Sequence, residues 1–298
     1  MIKLTIGCSN SGKSTWAHEQ WKENPQSTVV INRDKIRELL FSYTEDSVSE
    51  YYSRPDLSKL EKQVTKYEDT LIYEALCEGK TVIVDATHLE QKYIKRFEYW
   101  NAPLELVWFD ITLKEALTRN MDRRRQVDEQ IIIKQYDKYV TLRKNFSSYS
   151  FTPKIFEQDS TFPKCILVDI DGTLAHMGDR RSPYDWHKVG LDYVDTSIKR
   201  LSNSILLNHT AEVFICTGRD GICLDETQKW LEDNNIHCHK IFIRKAGDMR
   251  ADWIVKEEMW EQIAKHNYID FLVDDRMQVV RRARALGLKV LQVDYNNF

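Results

Sequence analysis

Apolar residues come along this chain in short dense runs, separated by longer amphipathic stretches. In the first half the runs LTIG, TVVIN, TVIVDAT and LELVWFDI are nearly continuous, the pattern of strands buried on both faces of a parallel sheet. Between them, Lys13–Glu23, Asp56–Glu78 and Leu113–Arg123 read as helices; in the second, Leu57, Leu60, Val64, Tyr67, Leu71 and Ile72 recur at helical spacing. Val127–Lys144 adds a helix that closes this half. Alternating strand and helix predicts an α/β fold, a doubly wound parallel sheet with helices on its faces. The second half restarts the pattern with CILVD, AEVFICTG, HKIFI, IDFLVDD and KVLQV, and with helical stretches at Thr196–Asn208, Asp225–Asn234 and Arg276–Leu286. A second doubly wound α/β domain is expected there. The intervening NFSSYSFTPKIFEQDSTFPK lacks helical periodicity and reads as a linker at about 145–163, whose aromatic residues pack on a surface. The expected domains are residues 1–150 and 151–298.

A length of 298 residues suits two domains, each long enough to bury a core. Hydrophobic residues make up 42% and charged residues 30%, which excludes a disordered chain. No apolar run reaches membrane-spanning length, and the chain opens directly into a strand without a targeting segment, so a cytoplasmic protein with no membrane partner is expected. The six cysteines form no Cys-x-x-Cys pair and read as reduced, mostly buried thiols. HCH at His237–His239 looks like a metal clip, but in a strand the two histidines share a face that Cys238 turns away from, and zinc needs four converging ligands. Net charge is −3, and residues 1–150 hold equal numbers of basic and acidic side chains. Neither half carries the bulk positive charge of a non-specific nucleic-acid binder, so contacts to a polynucleotide must be local and few.

IGCSNSGKSTW, from Ile6 to Trp16, has the spacing of a phosphate-binding loop. A strand ends, a turn wraps phosphate, and a helix starts, so that backbone N–H groups cradle the anion. Gly7, Asn10, Ser11, Gly12, Lys13, Ser14 and Thr15 are the candidate nucleotide contacts. Lys13 reaches the terminal phosphates of ATP and Ser14 ligates Mg²⁺. NRDKIR follows the second strand. Asp34 there faces the crevice where ligands bind and can accept the proton of an attacking hydroxyl. Arg37, one helical turn on, can grip an acceptor phosphate. On their own these two residues read first as a helix-capping acid and a surface base. In VDATHL, Asp85 can support the Mg²⁺ ion, and Thr87 and His88 can touch substrate or nucleotide; a turn-capping role for Asp85 is the alternative. RNMDRRR places Arg119, Arg123, Arg124 and Arg125 at a helix end before another helix, as a lid would, and Arg123 is the candidate for the transferred phosphate.

DIDGT follows KCILV in the second half. Asp169 and Asp171 are two apart and point the same way on an extended chain, and Gly172 lets the backbone turn. Such a pair can bind Mg²⁺ and divide labour, one carboxylate attacking phosphorus and the other acting as general acid and base. A structural or calcium-binding carboxylate pair is the alternative. FICTGR puts Thr217 and Arg219 at another strand end, GDMRADWIVKEE supplies Arg250, Asp252 and Lys256, and FLVDDR ends a strand with Asp274 and Asp275, whose hard oxygens suit Mg²⁺.

These second-half motifs resemble the haloacid dehalogenase phosphatase superfamily. Joined to the N-terminal loop, the chain is similar to the polynucleotide kinase/3′-phosphatases of the T-even bacteriophage type. The resemblance spans nearly the whole sequence through IGCSNSGKSTWA, INRD, RN before the basic run, DIDGTLA, PYD, VKEE and DDR. It implies transfer of the ATP γ-phosphate to 5′-hydroxyl ends of DNA or RNA, removal of 3′-phosphates through an aspartyl-phosphate, a Mg²⁺ requirement and a homo-oligomer, a tetramer in the relative. By the same resemblance Asp34 is the kinase base, Arg37 holds the acceptor's 3′-side phosphate and Arg123 the γ-phosphate. Asp169 is the phosphatase nucleophile and Asp171 its acid and base, supported by Arg219, Asp252, Lys256, Asp274 and Asp275. Ser9 and Asn10 stand where the relative has Pro and Gly. HMGDRRSPYD is one residue longer than its counterpart, which leaves Arg180 and Arg181 both open as the substrate-phosphate ligand, with Arg181 favoured by its spacing from Pro183. The rival readings are a small-molecule kinase fused to a small-molecule phosphatase, and a nucleotide-switched binding module that would have no use for Asp34 or the Asp169–Asp171 pair.

Overall fold

The first apolar run of each half becomes an interior strand of its own parallel sheet. The structure, a computed structural model, describes residues 1–42, 48–123 and 126–296. It divides into two compact units, Met1–Pro153 and Lys154–Phe298. In the N-terminal unit β1 (Ile2–Ile6), β2 (Thr28–Asn32), β3 (Thr81–Asp85) and β4 (Leu104–Trp108) lie parallel in the order β2-β3-β1-β4. The helices between and after them are α1 (Lys13–Glu23), α2 (Arg33–Phe41), α3 (Val48–Ser53), α4 (Leu57–Cys77), α5 (Gln91–Lys95), α6 (Leu113–Met121) and α7 (Glu129–Phe146). Ile2, Leu4, Ile6, Val82 and Val84 share one core with Val64 and Ile72 of α4 and with Tyr139, Leu142 and Phe146 of α7. Polar side chains set where helices begin. Asn32 accepts from the amides of Asp34 and Lys35, Thr112 from Glu115, and Asp128 from Gln130. α1 differs: its N-cap is Gly12, at φ +95° and with no capping side chain, so its first amides are left for a ligand.

In the C-terminal unit β5 (Lys164–Val168) is central. A short antiparallel pair, β6 (Ala175–His176) and β7 (Tyr193–Val194), stands apart from the main sheet, in which β5 joins β8 (Glu212–Asp220), β9 (Lys240–Arg244), β10 (Tyr268–Arg276) and β11 (Val290–Asn296) in the order β11-β10-β5-β8-β9. Alternate residues of β5 serve opposite faces. Cys165 and Leu167 join a core with Trp260 and Val280, and Ile166 and Val168 join one with Trp230 and Leu231. These tryptophans and Val280 come from α10 (Asp252–Ala264), α9 (Leu224–Asp233) and α11 (Met277–Ala285); α8 (Thr196–Leu207) completes the layer. α10 is a helix that apolar periodicity did not single out, because Val255, Met259, Trp260 and Ile263 are buried together with Asp252, Lys256 and Glu257.

Two aromatic residues between the halves are used locally. Phe151 bridges Leu104 in the N-terminal unit, and Phe156 packs on the core of the C-terminal unit. His237–His239 lies ahead of β9 rather than within it, and the histidine ring of His239 accepts from the Val213 amide, so this segment contributes to no metal cluster among the described residues. No described helix is long and apolar enough to cross a membrane.

Candidate active sites

The phosphate loop follows β1, which is flanked by β3 and β4 and so opens on the switch point of the sheet. Gly7 is required by close packing: a Cβ there would lie 2.5 Å from Ser11 Oγ and 3.0 Å from Phe109 Cβ. Lys13 is buried, and its Nζ donates to the Cys8 carbonyl at 2.6 Å and to Ser11 Oγ at 3.3 Å. Burial lowers its pKa to about 8, although Asp85 and Cys8 favour the charge; nearby Arg123 adds to the lowering. Ser14 and Thr15 face solvent on the first turn of α1. Asp85, at the end of β3, is buried and accepts from Asn32 Nδ2 at 2.9 Å. The Thr87 carbonyl accepts from the Gly7 amide at 3.2 Å and so braces the loop.

Asp34 and Arg37 lie side by side on the first turn of α2, as their spacing predicts, with Arg37 Nη1 donating to Asp34 Oδ1 at 2.7 Å. Asp34 is exposed and Arg37 is buried. A partner that sequence reasoning missed explains this: Glu61 on α4 takes Nε and Nη2 of Arg37 at 2.8 and 2.9 Å, and also binds Arg33 and the Tyr51 hydroxyl. Burial opposes the Glu61 charge, but Arg37 and Arg33 bring its pKa down to about 2. Arg123 donates to Asn10 Oδ1 at 2.8 Å, which puts its guanidinium at the phosphate loop. Arg124 and Arg125 lie outside the described residues. His88 corrects an expectation. It is buried at φ +44°, its Nδ1 is 2.8 Å from the Thr5 carbonyl and its ring stands edge-on to Phe97, so it belongs to the core and not to a ligand surface.

The phosphatase motifs converge at the C-terminal ends of β5, β8 and β10. Lys256, fully buried on α10, sits 2.9 Å from Asp169, 2.7 Å from Asp274 and 3.6 Å from Asp252. Burial opposes the charge on Lys256, and the three carboxylates more than reverse this, raising its pKa well above the usual range. Burial raises Asp169 well above the ordinary carboxylate range; Lys256 opposes this and Asp274, Asp275 and Asp252 add to it. Asp274 is raised in the same way, first by burial. Asp169, Asp274 and Asp275 each offer an oxygen, all within 4.8 Å of one another. Gly172, at φ +88°, leaves room for this cluster, since a Cβ there would come within 2.3 Å of Asp275 Oδ2. Three buried, hard, mutually repelling carboxylates in one place fit a divalent cation of the Mg²⁺ type.

Asp171 departs from the expectation of a metal ligand. Its carboxylate is outside the converging trio and is clasped by Arg219 at 2.9 Å through two nitrogens and by Arg181 at 2.7 Å. Burial works against its charge, yet Arg219 and Arg181 hold its pKa below the usual carboxylate range. Behind this clasp lies Asp192, a residue no motif pointed to. Its carboxylate binds Arg181 at 2.6 and 2.7 Å and Arg219 at 2.7 Å, and its carbonyl accepts from Trp230. Of the two arginines left open, Arg181 joins the site, while Arg180 lies over the Tyr193 ring and donates to the Leu191 carbonyl. Thr217 is buried on β8, its Oγ1 accepting from the Arg219 amide at 3.2 Å. Asp252 is flanked by Arg244 and Arg276 at 3.1 and 3.2 Å. Arg250 does not join: it is partly exposed and pairs with Asp248 and Glu258.

Comparison with known proteins agrees with this division. Residues 2–142 match the family model described as AAA domain, and residues 163–298 match the one described as polynucleotide kinase PNKP phosphatase domain. The chain therefore joins a P-loop domain to a phosphatase domain of the haloacid dehalogenase class. More narrowly, the match of its C-terminal half is to the family model of the PNKP phosphatase domain. A curated relative, "Putative bifunctional polynucleotide kinase/RNA ligase" of Autographa californica nuclear polyhedrosis virus, is 30% identical over 303 residues. That match covers 96% of this chain and 41% of the relative, so the chain spans well under half of that protein. A solved structure described as the Pnkp1/Rnl/Hen1 RNA repair complex matches 100% of this chain and 96% of its own at 24% identity, with a TM-score of 0.47. Deoxyadenosine kinase from M. mycoides matches 51% of this chain and 88% of its own at 18% identity, with a TM-score of 0.31.

Proposed function

We propose that the protein heals nucleic-acid ends, phosphorylating 5′-hydroxyl termini of DNA or RNA with ATP and removing 3′-phosphates. The observation that carries the reading is the coincidence of a buried Asp169–Lys256–Asp274 centre with a match to the PNKP phosphatase family over residues 163–298. In the kinase unit, the free amides at the start of α1 and the charge on Lys13 receive the donor phosphates, and Ser14 with Asp85 behind it suits Mg²⁺. Asp34, exposed and reachable, takes the proton from the attacking hydroxyl, and Arg37 beside it offers the acceptor a guanidinium already oriented by Glu61.

In the phosphatase unit Asp169 attacks the 3′-phosphorus while Lys256 holds its carboxylate in place. Asp169, Asp274 and Asp275 would hold Mg²⁺, which offsets negative charge in the cluster and on the phosphoryl oxygens. Asp171 must gain a proton to act on the leaving oxygen, and its two arginines oppose this. The role therefore requires Arg181 and Arg219 to turn toward the incoming phosphate, which gives the same two residues the task of binding substrate and of freeing Asp171.

The test is phosphate transfer from γ-labelled ATP to 5′-hydroxyl oligonucleotides, run beside free nucleosides and sugars, together with release of phosphate from 3′-phosphorylated oligonucleotides. Both oligonucleotide reactions should proceed with Mg²⁺, and Asp169→Ala should erase the second and spare the first. Preference for a free nucleoside or sugar in both assays would replace this reading with the small-molecule one.

A further inference from the structure

Among the described residues, Asn10 is the phosphate-loop residue whose side chain reaches out of the loop to Asn120 and Arg123. Its Nδ2 donates to the Ala116 carbonyl at 3.2 Å and to Asn120 Oδ1 at 3.1 Å, and its Oδ1 accepts from Arg123 Nη1 at 2.8 Å. Its own carbonyl accepts from Arg119 Nη1 at 3.3 Å. Asn120, buried, continues the connection by accepting from the Val127 amide at 2.9 Å and donating to the Val127 carbonyl at 2.8 Å, which ties Val127, ahead of α7, to the same point. Asn10 makes these contacts at φ +67°, in the left-handed region that asparagine tolerates better than other side chains. A strained backbone, three side-chain hydrogen bonds and two lid arginines thus meet at one loop residue.

The chemistry of the contact to Arg123 matters as much as its place. Among the described residues Arg123 donates to this neutral amide oxygen and to no carboxylate. A neutral acceptor fixes the guanidinium without neutralising it, so its full charge stays available to an anion arriving in the loop. A carboxylate at the same place would form an ion pair and compete with phosphate. We infer that Asn10 is a positioning residue, holding Arg123 at the mouth of the phosphate loop before nucleotide binds and handing it to the terminal phosphate of ATP. The inference rests on the reading that Arg123 serves that phosphate. It lowers the ordering entropy that an exposed arginine must otherwise lose on binding.

The experiment compares affinities for a non-hydrolysable ATP analogue and for ADP by titration calorimetry, a readout that needs no polynucleotide acceptor. Arg123→Ala should shrink the preference for the triphosphate. Asn10→Gly keeps the backbone conformation easy and removes only the side chain; it should shrink the preference by about fivefold to tenfold, less than the full worth of a charge-assisted hydrogen bond because the guanidinium itself remains. Asn10→Asp should shrink it further by trapping Arg123, and Asn10→Gly in an Arg123→Ala background should add nothing. Retained ADP binding together with an unchanged unfolding midpoint of the N-terminal unit confirms in each variant that the nucleotide-binding unit is folded. A wild-type preference in Asn10→Gly beside a reduced one in Arg123→Ala, or additive losses in the double variant, would overturn the inference about Asn10. A wild-type preference in both would overturn it through Arg123 itself, and neither result depends on whether the acceptor is a polynucleotide.

Discussion

Asp34 and Asp169 both follow the C-terminal end of a parallel strand, yet the side chain of the first is 61% exposed and that of the second 7%. Around Asp34 the charges are settled in pairs that leave the acid open to an incoming hydroxyl, with Arg37 drawn back to Glu61. Around Asp169 three buried acids, Asp169, Asp252 and Asp274, crowd one lysine, and Arg244 and Arg276 pair with Asp252 at the edge of the cluster. The first site is assembled from the ends of loops and helices and can keep its reactive group in water. The second is part of the core, and its groups are as much a question of stability as of chemistry. A proton acceptor for a hydroxyl needs access and a modest pKa; a nucleophile that forms a bond to phosphorus needs exclusion of water and a fixed geometry.

The largest effect that separates the two is the response to losing the lysine of each site. Lys256→Met leaves Asp169 and Asp274 buried without their counter-ion, a loss on the order of 3–5 kcal/mol. Denaturant unfolding monitored in the C-terminal unit should show it, together with loss of 3′-phosphate release. Lys13→Met should abolish 5′-phosphorylation yet leave the unfolding of the N-terminal unit unchanged or slightly strengthened. Burial already depresses Lys13 to about 8, so its charge is a burden on the fold that only bound phosphate repays. Equal destabilisation by the two substitutions would dissolve the distinction between the sites.

Asp34→Asn probes the open site alone. A general base contributes about 10²–10⁴-fold, and the carboxamide keeps the shape, so kinase turnover should fall within that range while ATP still binds. Single-turnover rates beside calorimetric ATP affinity separate the two effects. An unchanged rate would remove Asp34 from the chemistry.

How far these arrangements were legible in the sequence follows from the kind of signal each carries. The parallel strands could be read because burial on both faces leaves uninterrupted apolar runs, and α4 because one apolar stripe recurs at helical spacing. Reactive groups at strand ends were legible because the motif fixes them locally. Asp192 was not: it meets Arg181 and Arg219 only after residues far apart in sequence have been brought together, and GLDYV around it carries no motif. Glu61 was hidden for a related reason, as one polar residue on an amphipathic helix whose apolar face was the visible signal. His88 shows the reverse error, since a polar residue beyond a strand reads as a ligand contact until the fold closes over it.

Arg37→Ala should sharpen the picture of the open site by a smaller step. Loss of a charge-assisted phosphate contact costs about 1.5–3 kcal/mol, so the KM for the oligonucleotide should rise by at least about tenfold while that for ATP moves little. Glu61→Gln keeps the shape of the support but weakens its hold, and should raise the same KM by less. Parallel changes in both KM values would place Arg37 outside the acceptor site.

The smallest contrast is in the response to acid, and it turns on a residue that neither site uses. His88 is fully enclosed between the Thr5 carbonyl and the edge of Phe97, and burial lowers its pKa to about 4, against the pull of the Thr5 carbonyl and of Glu68 and Asp85, with Arg96 aiding the lowering. Between about 6.5 and 4 the unfolded chain therefore binds a proton at this position that the folded chain does not. Stability of the N-terminal unit is full above pH 6.5 and falls as pH drops through that window. Hydrogen exchange of the β1 amides at pH 7 and pH 5 should show the loss. His88→Asn is the control, because asparagine accepts the φ of +44°, can donate to the same carbonyl and does not titrate. Exchange in that variant should be flatter with pH once the intrinsic pH dependence is removed. In the C-terminal unit the burial that raises Asp169 and Asp274 acts with the opposite sign, as protonation there relieves repulsion in the folded state. With divalent cations chelated, its core amides should be less acid-sensitive between pH 7 and pH 5 than those of β1; Asp171, held below the usual carboxylate range, stays charged across that window, so a greater sensitivity would refute the contrast.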